Sequence, residues 1–246
     1  YVLDLLDREK PSIFGLSTYT VTLPASLFAF KLAKEVNPGI TTVMGGAIFS
    51  GELDMNSPNF THFVDNTPFI DAIIVGEGEN LFLKYLNGEF PPDKRLFTLA
   101  DIDNRTLQME EAPLPDFSGL DTRFYTTLAS YTSRSCPFNC SFCSEKVLWG
   151  RYRKKKGKCI ADELRVLSEK HGTQLFLMAD SLLNPVVDDL SQTIIDAKLS
   201  LYWDGYLRAD PGACNTDNTF KWRQGGFYRA RLGLESGSPK ILKEMD

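Results

Sequence analysis

The strongest constraint on the fold is a beat that repeats along the chain: a short apolar run, a loop of small or polar residues, then a stretch with helical period. Residues 1–10 read as the tail of a helix. Residues 12–17 form an apolar run of buried-strand type that ends in Ser17-Thr18-Tyr19-Thr20. From Pro24 onward Ala25, Phe28, Ala29, Leu32, Ala33 and Val36 fall on one helical face, which Asn37-Pro38-Gly39 closes. Strand 40–44 ends in Gly45-Gly46, and strand 72–75 ends in Gly76-Glu77-Gly78-Glu79 before a helix carrying Leu81, Phe82, Tyr85 and Leu86. Strands alternating with helices predict parallel pairing with helices on the sheet faces.

A stretch from Met109 to Leu120, with Pro113, Pro115 and Gly119, interrupts the beat as an interdomain linker would. The beat then resumes with strands at 125–131, 174–178, 199–207 and 228–234, and a short helix at 220–224. Four such units make half of a barrel. The basic run from Arg151 to Lys158 reads as a solvated approach to a helix on which Ile160, Leu164 and Leu167 share a face. In open parallel sheets and barrels alike, ligands bind at the carboxyl ends of the strands. The candidate residues are therefore those that follow the strands: Ser17, Thr18, Gly45, Gly46, Glu77 and Gly78 in the first half, and Asp180, Arg208 and Glu235 in the second. Taken singly, each glycine loop is also what a tight strand-to-helix turn needs.

The strand at 125–131 delivers Cys136-Pro137-Phe138-Asn139-Cys140-Ser141-Phe142-Cys143, which holds three of the five cysteines in eight residues. An odd number of thiols in one short loop suits a metal or an iron–sulfur cluster better than disulfides. A structural zinc site, with Cys159 or His171 as fourth ligand, is the sober alternative, and it would make the chain a non-catalytic metal-binding module. Zinc sites usually pair two cysteine knuckles, however, and only one loop is present here. A 4Fe-4S cubane held by three thiolates leaves one iron open to chemistry. The net charge of −5 offers no general attraction for nucleic acid or an anionic membrane, and no apolar run reaches spanning length. Clustered thiols read as cytoplasmic rather than secreted. A start at Tyr1 and an end at Asp246, just after a motif, read as a fragment.

The triplet Cys136-x-x-x-Cys140-x-x-Cys143, with Phe142 before the third cysteine, resembles the signature of radical S-adenosylmethionine enzymes. Trp149-Gly150-Arg151-Tyr152-Arg153, Arg208-Ala209-Asp210-Pro211 and Gly233-Leu234-Glu235-Ser236-Gly237-Ser238 resemble the family's later landmarks in order. The loops at Gly15-Leu16-Ser17, Gly45-Gly46 and Gly76-Glu77-Gly78-Glu79 are similar to those of the cobalamin-binding domain that precedes the barrel in one class of the family. The resemblance implies an α/β chain: a truncated Rossmann-like cobalamin-binding domain over 1–108, a linker at 109–124, and the first part of a (β/α) radical barrel over 125–246.

It implies that Cys136, Cys140 and Cys143 ligate a 4Fe-4S cluster, and that Phe142, Asp180, Ser181, Arg208, Glu235 and Ser236 hold S-adenosylmethionine. Cobalamin would lie on Ser17, Thr18, Gly45, Gly46, Glu77 and Gly78. The implied activity is reductive cleavage of S-adenosylmethionine, with methyl transfer to an unactivated centre of a small molecule or peptide. Rearrangement, cyclisation or methylthio transfer without cobalamin is the alternative. An electron donor such as flavodoxin or ferredoxin would be the protein partner. The Asp-x-His-x-x-Gly cobalt-ligand motif is absent, and neither His62 nor His171 fits it. Cys159 and Cys214 have no assigned role.

Overall fold

The computed structural model describes residues 1–245 and divides into two compact units, Tyr1–Leu107 and Gln108–Asp246. The first unit runs α1 (Val2–Glu9), β1 (Ile13–Ser17), α2 (Leu23–Val36), β2 (Thr41–Gly45), α3 (Pro58–Asn66), β3 (Ala72–Val75), α4 (Glu79–Leu86) and β4 (Leu96–Thr98). Its sheet is wholly parallel in the order β1-β2-β3-β4. Helix α2 starts with Pro24 in its first turn, where a missing N–H costs nothing. The β-branched and apolar residues of β2 and β3 are buried from both faces, as a central parallel strand requires. Phe30, Met44, Phe49, Phe60, Phe63 and Ile73 fill one core, and Val43, Ile74, Leu81 and Phe97 fill another.

Periodicity alone finds β1 to β3 and their helices but misses two elements. Helix α3, with Phe60 and Phe63 on its buried face, is only nine residues long, and β4 has three residues. Arg95 is the reason so short a strand is fixed: its guanidinium donates to the carbonyls of Val64, Thr67 and Ile70, tying β4 to α3 and to the entry of β3.

The second unit runs β5 (Leu128–Ser130), β6 (Ser133–Arg134), α5 (Glu145–Trp149), β7 (Arg153–Lys154), α6 (Gly157–His171), β8 (Leu175–Met178), α7 (Val187–Asp196), β9 (Tyr202–Arg208), α8 (Thr216–Gln224), β10 (Phe227–Gly233) and α9 (Pro239–Met245). Strands β10-β9-β8-β5 form a parallel sheet in that order, so the four expected beats are all present, and β6 pairs with β7 in a separate antiparallel hairpin. Ile160, Leu164 and Leu167 on α6, Leu190 and Ile194 on α7, and Phe176 and Trp203 from the sheet are all at most 1% exposed. Burying each such side chain contributes about 1.5–3 kcal/mol relative to leaving it in water. The indole N–H of Trp203 donates to Gly225 O at 2.9 Å, so the largest core residue leaves no orphan donor.

Two expectations change here. The segment at 109–124 groups with the second unit: Phe117 packs on its core and edge-on against His171, and Lys170 Nζ meets Asp116 at 2.9 Å. The basic run is not simply solvated. Lys155 is 2% exposed, and its ammonium donates to both oxygens of Glu163 at 2.9 and 2.7 Å while lying 4.4 Å over the Tyr131 ring.

Candidate active site

The cysteine loop is held at its base before it is shaped at its tip. Asp180, two residues past β8 and 3% exposed, accepts from the backbone N–H of Thr132 at 2.9 Å, from the hydroxyls of Thr132 and Ser133 at 2.9 and 2.6 Å, and from Ser133 N–H. Burial pushes the Asp180 carboxyl above its ordinary value, while the donors from Ser133 and Thr132 oppose that shift. Strands β6 and β7 then pair Ser133 with Lys154 and Arg134 with Arg153, and Lys155 N–H donates to Thr132 O at 2.8 Å. Above the pair, the Arg134 guanidinium sits over the rings of Tyr131 and Trp149, at 5.5 and 4.9 Å, and the Ser135 hydroxyl donates to Gly150 O at 2.7 Å. The landmark around Trp149 is thus the returning arm that closes the loop.

Within the loop a backbone bond from Cys143 N–H to Cys140 O at 3.0 Å makes one tight turn, and Ser141 N–H reaches Met245 O at 2.9 Å. Cys136, Cys140 and Cys143, all free thiols, line one cavity of about 820 Å³. Phe138, Phe142, Ser181, Arg208, Glu235 and Ser236 line the same cavity. The carboxyl ends of β8, β9 and β10 therefore bring together the thiols, a guanidinium, a carboxylate and two hydroxyls, which lie up to a hundred residues apart in sequence. Burial pushes the Cys136 thiol up, and neighbouring Cys140, Cys143 and Glu145 push it further, so a metal must displace its proton to bind.

Among the described residues, no three His, Cys, Asp or Glu side chains converge as ligands of a single metal ion would. A cubane makes a different demand, since each thiolate binds its own iron, and three free thiols on the wall of one cavity are the donor set it needs. The zinc alternative loses its proposed fourth ligands. Cys159 donates to Glu163 Oε1 at 3.5 Å on α6, and His171 ends that helix against Phe117; neither lines the cavity.

Each remaining residue has a visible placement. Arg208 ends β9 with its Cζ 4.4 Å from the centre of the Phe138 ring, so a loop aromatic carries the guanidinium. Asn184 fixes that strand end: it accepts from Arg208 N–H at 2.8 Å and donates to Arg208 O at 3.0 Å and to Asp210 Oδ2 at 2.8 Å. Glu235 adopts φ 51°, and its Oε1 lies 2.4 Å from where a Cβ on Gly233 would stand, so glycine at 233 is what lets the carboxylate fold back. Asp180 is the exception. It was expected to face the methionine amine, but its carboxylate is turned into the β6 hairpin and it is not part of the cavity wall. Phe138, Asn184, Thr132 and Ser133 were not anticipated. Only Phe138, inside the cysteine motif, carried any signal in sequence.

In the first unit, Ser17 and Gly45 end β1 and β2, and Glu77-Gly78 follow β3, at the carboxyl ends of the strands. Thr18 is fully buried and inward-facing: its N–H donates to Gly45 O at 2.8 Å, its hydroxyl to Ser26 Oγ at 3.1 Å, and its carbonyl accepts from Ile48 at 3.1 Å. Gly46, at φ 108°, has no room for a Cβ, which would lie 2.4 Å from Thr18 N. Glu77 is buried at 6% exposure. This unit's apolar cavity of about 600 Å³ lies elsewhere, between α2 and α3.

A comparison with protein-family models finds no match. The chain is 26% identical over 264 residues to the anaerobic magnesium-protoporphyrin IX monomethyl ester cyclase of Rubrivivax gelatinosus, covering 96% of this chain and 46% of that protein. It is 26% identical over 265 residues to an uncharacterized methyltransferase of Pyrococcus horikoshii, covering 98% and 55%. It is 24% identical over 272 residues to the cobalamin-dependent radical SAM methyltransferase TokK of Streptomyces tokunonensis, covering 96% and 38%. The chain thus spans about half the length, or less, of the curated relatives it matches. Its fold matches that of TsrM, a radical S-adenosylmethionine methyltransferase of Kitasatospora setae solved with cobalamin and a 4Fe-4S cluster, at TM-score 0.69 and 16% identity over 98% of this chain and 53% of that one. The structure of TsrM with tryptophan and a SAM analogue matches at TM-score 0.70. Along nearly its whole length the chain is thus similar in sequence to proteins named as cyclases and methyltransferases, one of them a cobalamin-dependent radical SAM methyltransferase, and it shares the fold of TsrM.

Proposed function

We propose that the second unit binds a 4Fe-4S cluster on Cys136, Cys140 and Cys143 and cleaves S-adenosylmethionine reductively, with cobalamin on the first unit, to methylate an unactivated centre. The observation that carries this reading is the shared cavity: three thiols, Arg208, Glu235 and Ser236 face one space of about 820 Å³. The chemistry that a reduced cluster supplies is one electron into the sulfonium, giving methionine and a 5'-deoxyadenosyl radical that takes a hydrogen atom from substrate.

The chain's own residues do the rest. Arg208 is matched to a carboxylate, Glu235 and Ser236 to ribose hydroxyls, Ser181 to the methionine amine, and Phe142 offers a flat apolar face to the nucleoside. Asp180 acts one step back, by fixing Thr132 and Ser133 at the base of the loop. On the first unit Ser17, Gly45, Gly46, Glu77 and Gly78 are the proposed cobalamin edge, and Thr18 braces it from inside. The relatives named methyltransferases, and TsrM with cobalamin bound, support methyl transfer. The relative named a cyclase supports ring formation as a second reading. A small-molecule substrate and an electron donor of the flavodoxin or ferredoxin type complete the proposal. Among the described residues no helix is long and apolar enough to cross a membrane.

Anaerobic reconstitution tests the core of this reading. About four irons and four sulfides per chain, lost in Cys140→Ser, together with release of 5'-deoxyadenosine, are expected. Tetrahedral zinc with no cleavage would overturn it. Uptake of hydroxocobalamin, followed by its visible absorption, separates methyl transfer from the cyclase reading: a chain that loads the cluster but retains no corrinoid loses the methyltransferase assignment.

A further inference from the structure

The inner face of the second sheet carries a charge arrangement that the cluster and S-adenosylmethionine do not use. Strand β10 pairs in register with β9 at Phe227 and Trp203, and then shifts, so that Arg229 stands beside Asp204, Arg231 beside Tyr206 and Gly233 beside Arg208. The shift inserts one extra residue, Tyr228, into the edge strand. Phe227 and Trp203 belong to the helix-side core, so strict alternation would turn Arg229 and Arg231 toward that core as well. The bulge re-aims both arginines to the opposite face, the one that also bears Tyr206 and Arg208 on the cavity wall.

Both guanidiniums are anchored by one carboxylate. Asp204, 0% exposed, takes Arg229 Nε at 2.5 Å and Arg231 Nη2 at 2.9 Å on the same oxygen, and its second oxygen, Oδ1, has no hydrogen-bond partner among the described residues. The arginine side chains are 54% and 31% exposed, so they cover the carboxylate while part of each guanidinium faces solvent, and Arg231 also hydrogen-bonds the Tyr206 side chain. Two cations against one anion leave one formal positive charge. The Arg231 guanidinium also lies 5.5 Å from the Tyr206 ring centre, one rung below Arg208, which links the pair to the cavity.

We propose that Arg229 and Arg231, held by Asp204, form an oxyanion subsite that binds a carboxylate or phosphoryl group of the substrate and so places its remainder toward the cavity. This rests on reading the cavity as the reaction chamber. A structural ion pair needs one arginine; a pair presented by a bulge, pre-oriented by a buried carboxylate and partly facing solvent, is matched to a bidentate anion.

The probes are inorganic phosphate and acetate, titrated into the cluster-free chain while the Nε–Hε resonances of the arginines are followed by NMR. Saturable shifts at Arg229 and Arg231 are expected, with affinity falling at least about tenfold in the double variant R229Q/R231Q and unchanged in R123Q. Tighter phosphate binding assigns a phosphoryl group, and tighter acetate binding a carboxylate. Shifts that do not saturate, or an affinity unchanged in the double variant, overturn the subsite. If that variant does not fold, the wild-type resonances decide: saturation at these two arginines supports the subsite, and its absence there overturns it. The measurement needs neither iron nor S-adenosylmethionine. A chain that cleaves S-adenosylmethionine but binds neither anion loses only this proposal, and one that binds phosphate but takes up no iron loses the radical reading.

Discussion

The two units carry the same architectural edge put to different uses. Each is a four-stranded parallel sheet whose loops gather at the carboxyl ends of its strands. In the first unit the loops close on one another: Thr18 is spent on Gly45, Ser26 and Ile48, and Gly46 lies hard against the Thr18 backbone. In the second unit the polar ties retreat below the surface, to Asp180 under the hairpin and Asn184 under the end of β9, and thiols, guanidinium and carboxylate are left facing a cavity. An edge built from backbone contacts presents a shape, whereas one built on buried side-chain anchors presents reactive groups. That contrast agrees with the proposal that the first edge receives a large preformed cofactor and the second holds a small cluster and its ligand in register.

If the first edge depends on close backbone approach, a single methyl group should break it. Gly46→Ala places a Cβ 2.4 Å from Thr18 N and 2.5 Å from Thr18 O in a left-handed conformation, and a loss of about 4 kcal/mol is expected. Hydrogen exchange at the amides of β1 and β2 reads it, and unchanged protection there would remove the contrast. The second edge should break through its buried side chains instead. Glu163→Gln leaves the Lys155 ammonium buried without its counter-charge beneath Tyr131, and a cost of about 3 kcal/mol is expected. All three tryptophans lie in the second unit, so urea unfolding followed by indole fluorescence reports this change directly. A midpoint equal to wild type would mean that the pair is not holding the hairpin.

Much of this is legible in the sequence. The βα beats, the cysteine triplet and the residues after β8, β9 and β10 follow from local period and from the rule that parallel strands present their carboxyl ends to ligands. Arg208, Glu235 and Ser181 reach the cavity for that reason. What was hidden depends on contacts far apart in sequence. Nothing near Asp180 says that its carboxylate turns back to residues 132 and 133, forty-eight and forty-seven positions earlier. Nothing in a lysine-rich run says that Lys155 alone goes inside, because Glu163, its partner, lies eight residues on. Strand β4 is too short for any periodicity and exists because Arg95 ties it down.

The reassignment of Asp180 predicts a split that a direct ligand would not show. Asp180→Asn places an amide N–H among the donors of Thr132 and Ser133, so about 2 kcal/mol of stability should go, and cluster content should fall with it. Ser181→Ala, which alters only the cavity wall, should leave stability unchanged and weaken S-adenosylmethionine binding. The reverse pattern, with Asp180→Asn as stable as wild type and unable to bind S-adenosylmethionine, would return Asp180 to the first rank of ligand contacts.

The smallest effect tests whether residues 109–124 belong to the second unit. Lys170 on α6 donates to Asp116, and with the N–H and hydroxyl of Ser118 it holds that carboxyl down, from 3.8 to about 2. Because the folded value is the lower one, the contribution to stability is fully present above the ordinary carboxylate range and disappears as pH falls from 3.8 through about 2. Both side chains are exposed, so salt should weaken the pair. Titration of the Asp116 carboxyl carbon by NMR should therefore show the depressed value, and Lys170→Met should move it back toward 3.8. A value that stays near 2 in Lys170→Met would assign the depression to Ser118 alone, a turn that travels with the segment wherever it goes. Phe117 against His171 would then be the contact left to hold residues 109–124 to the helix.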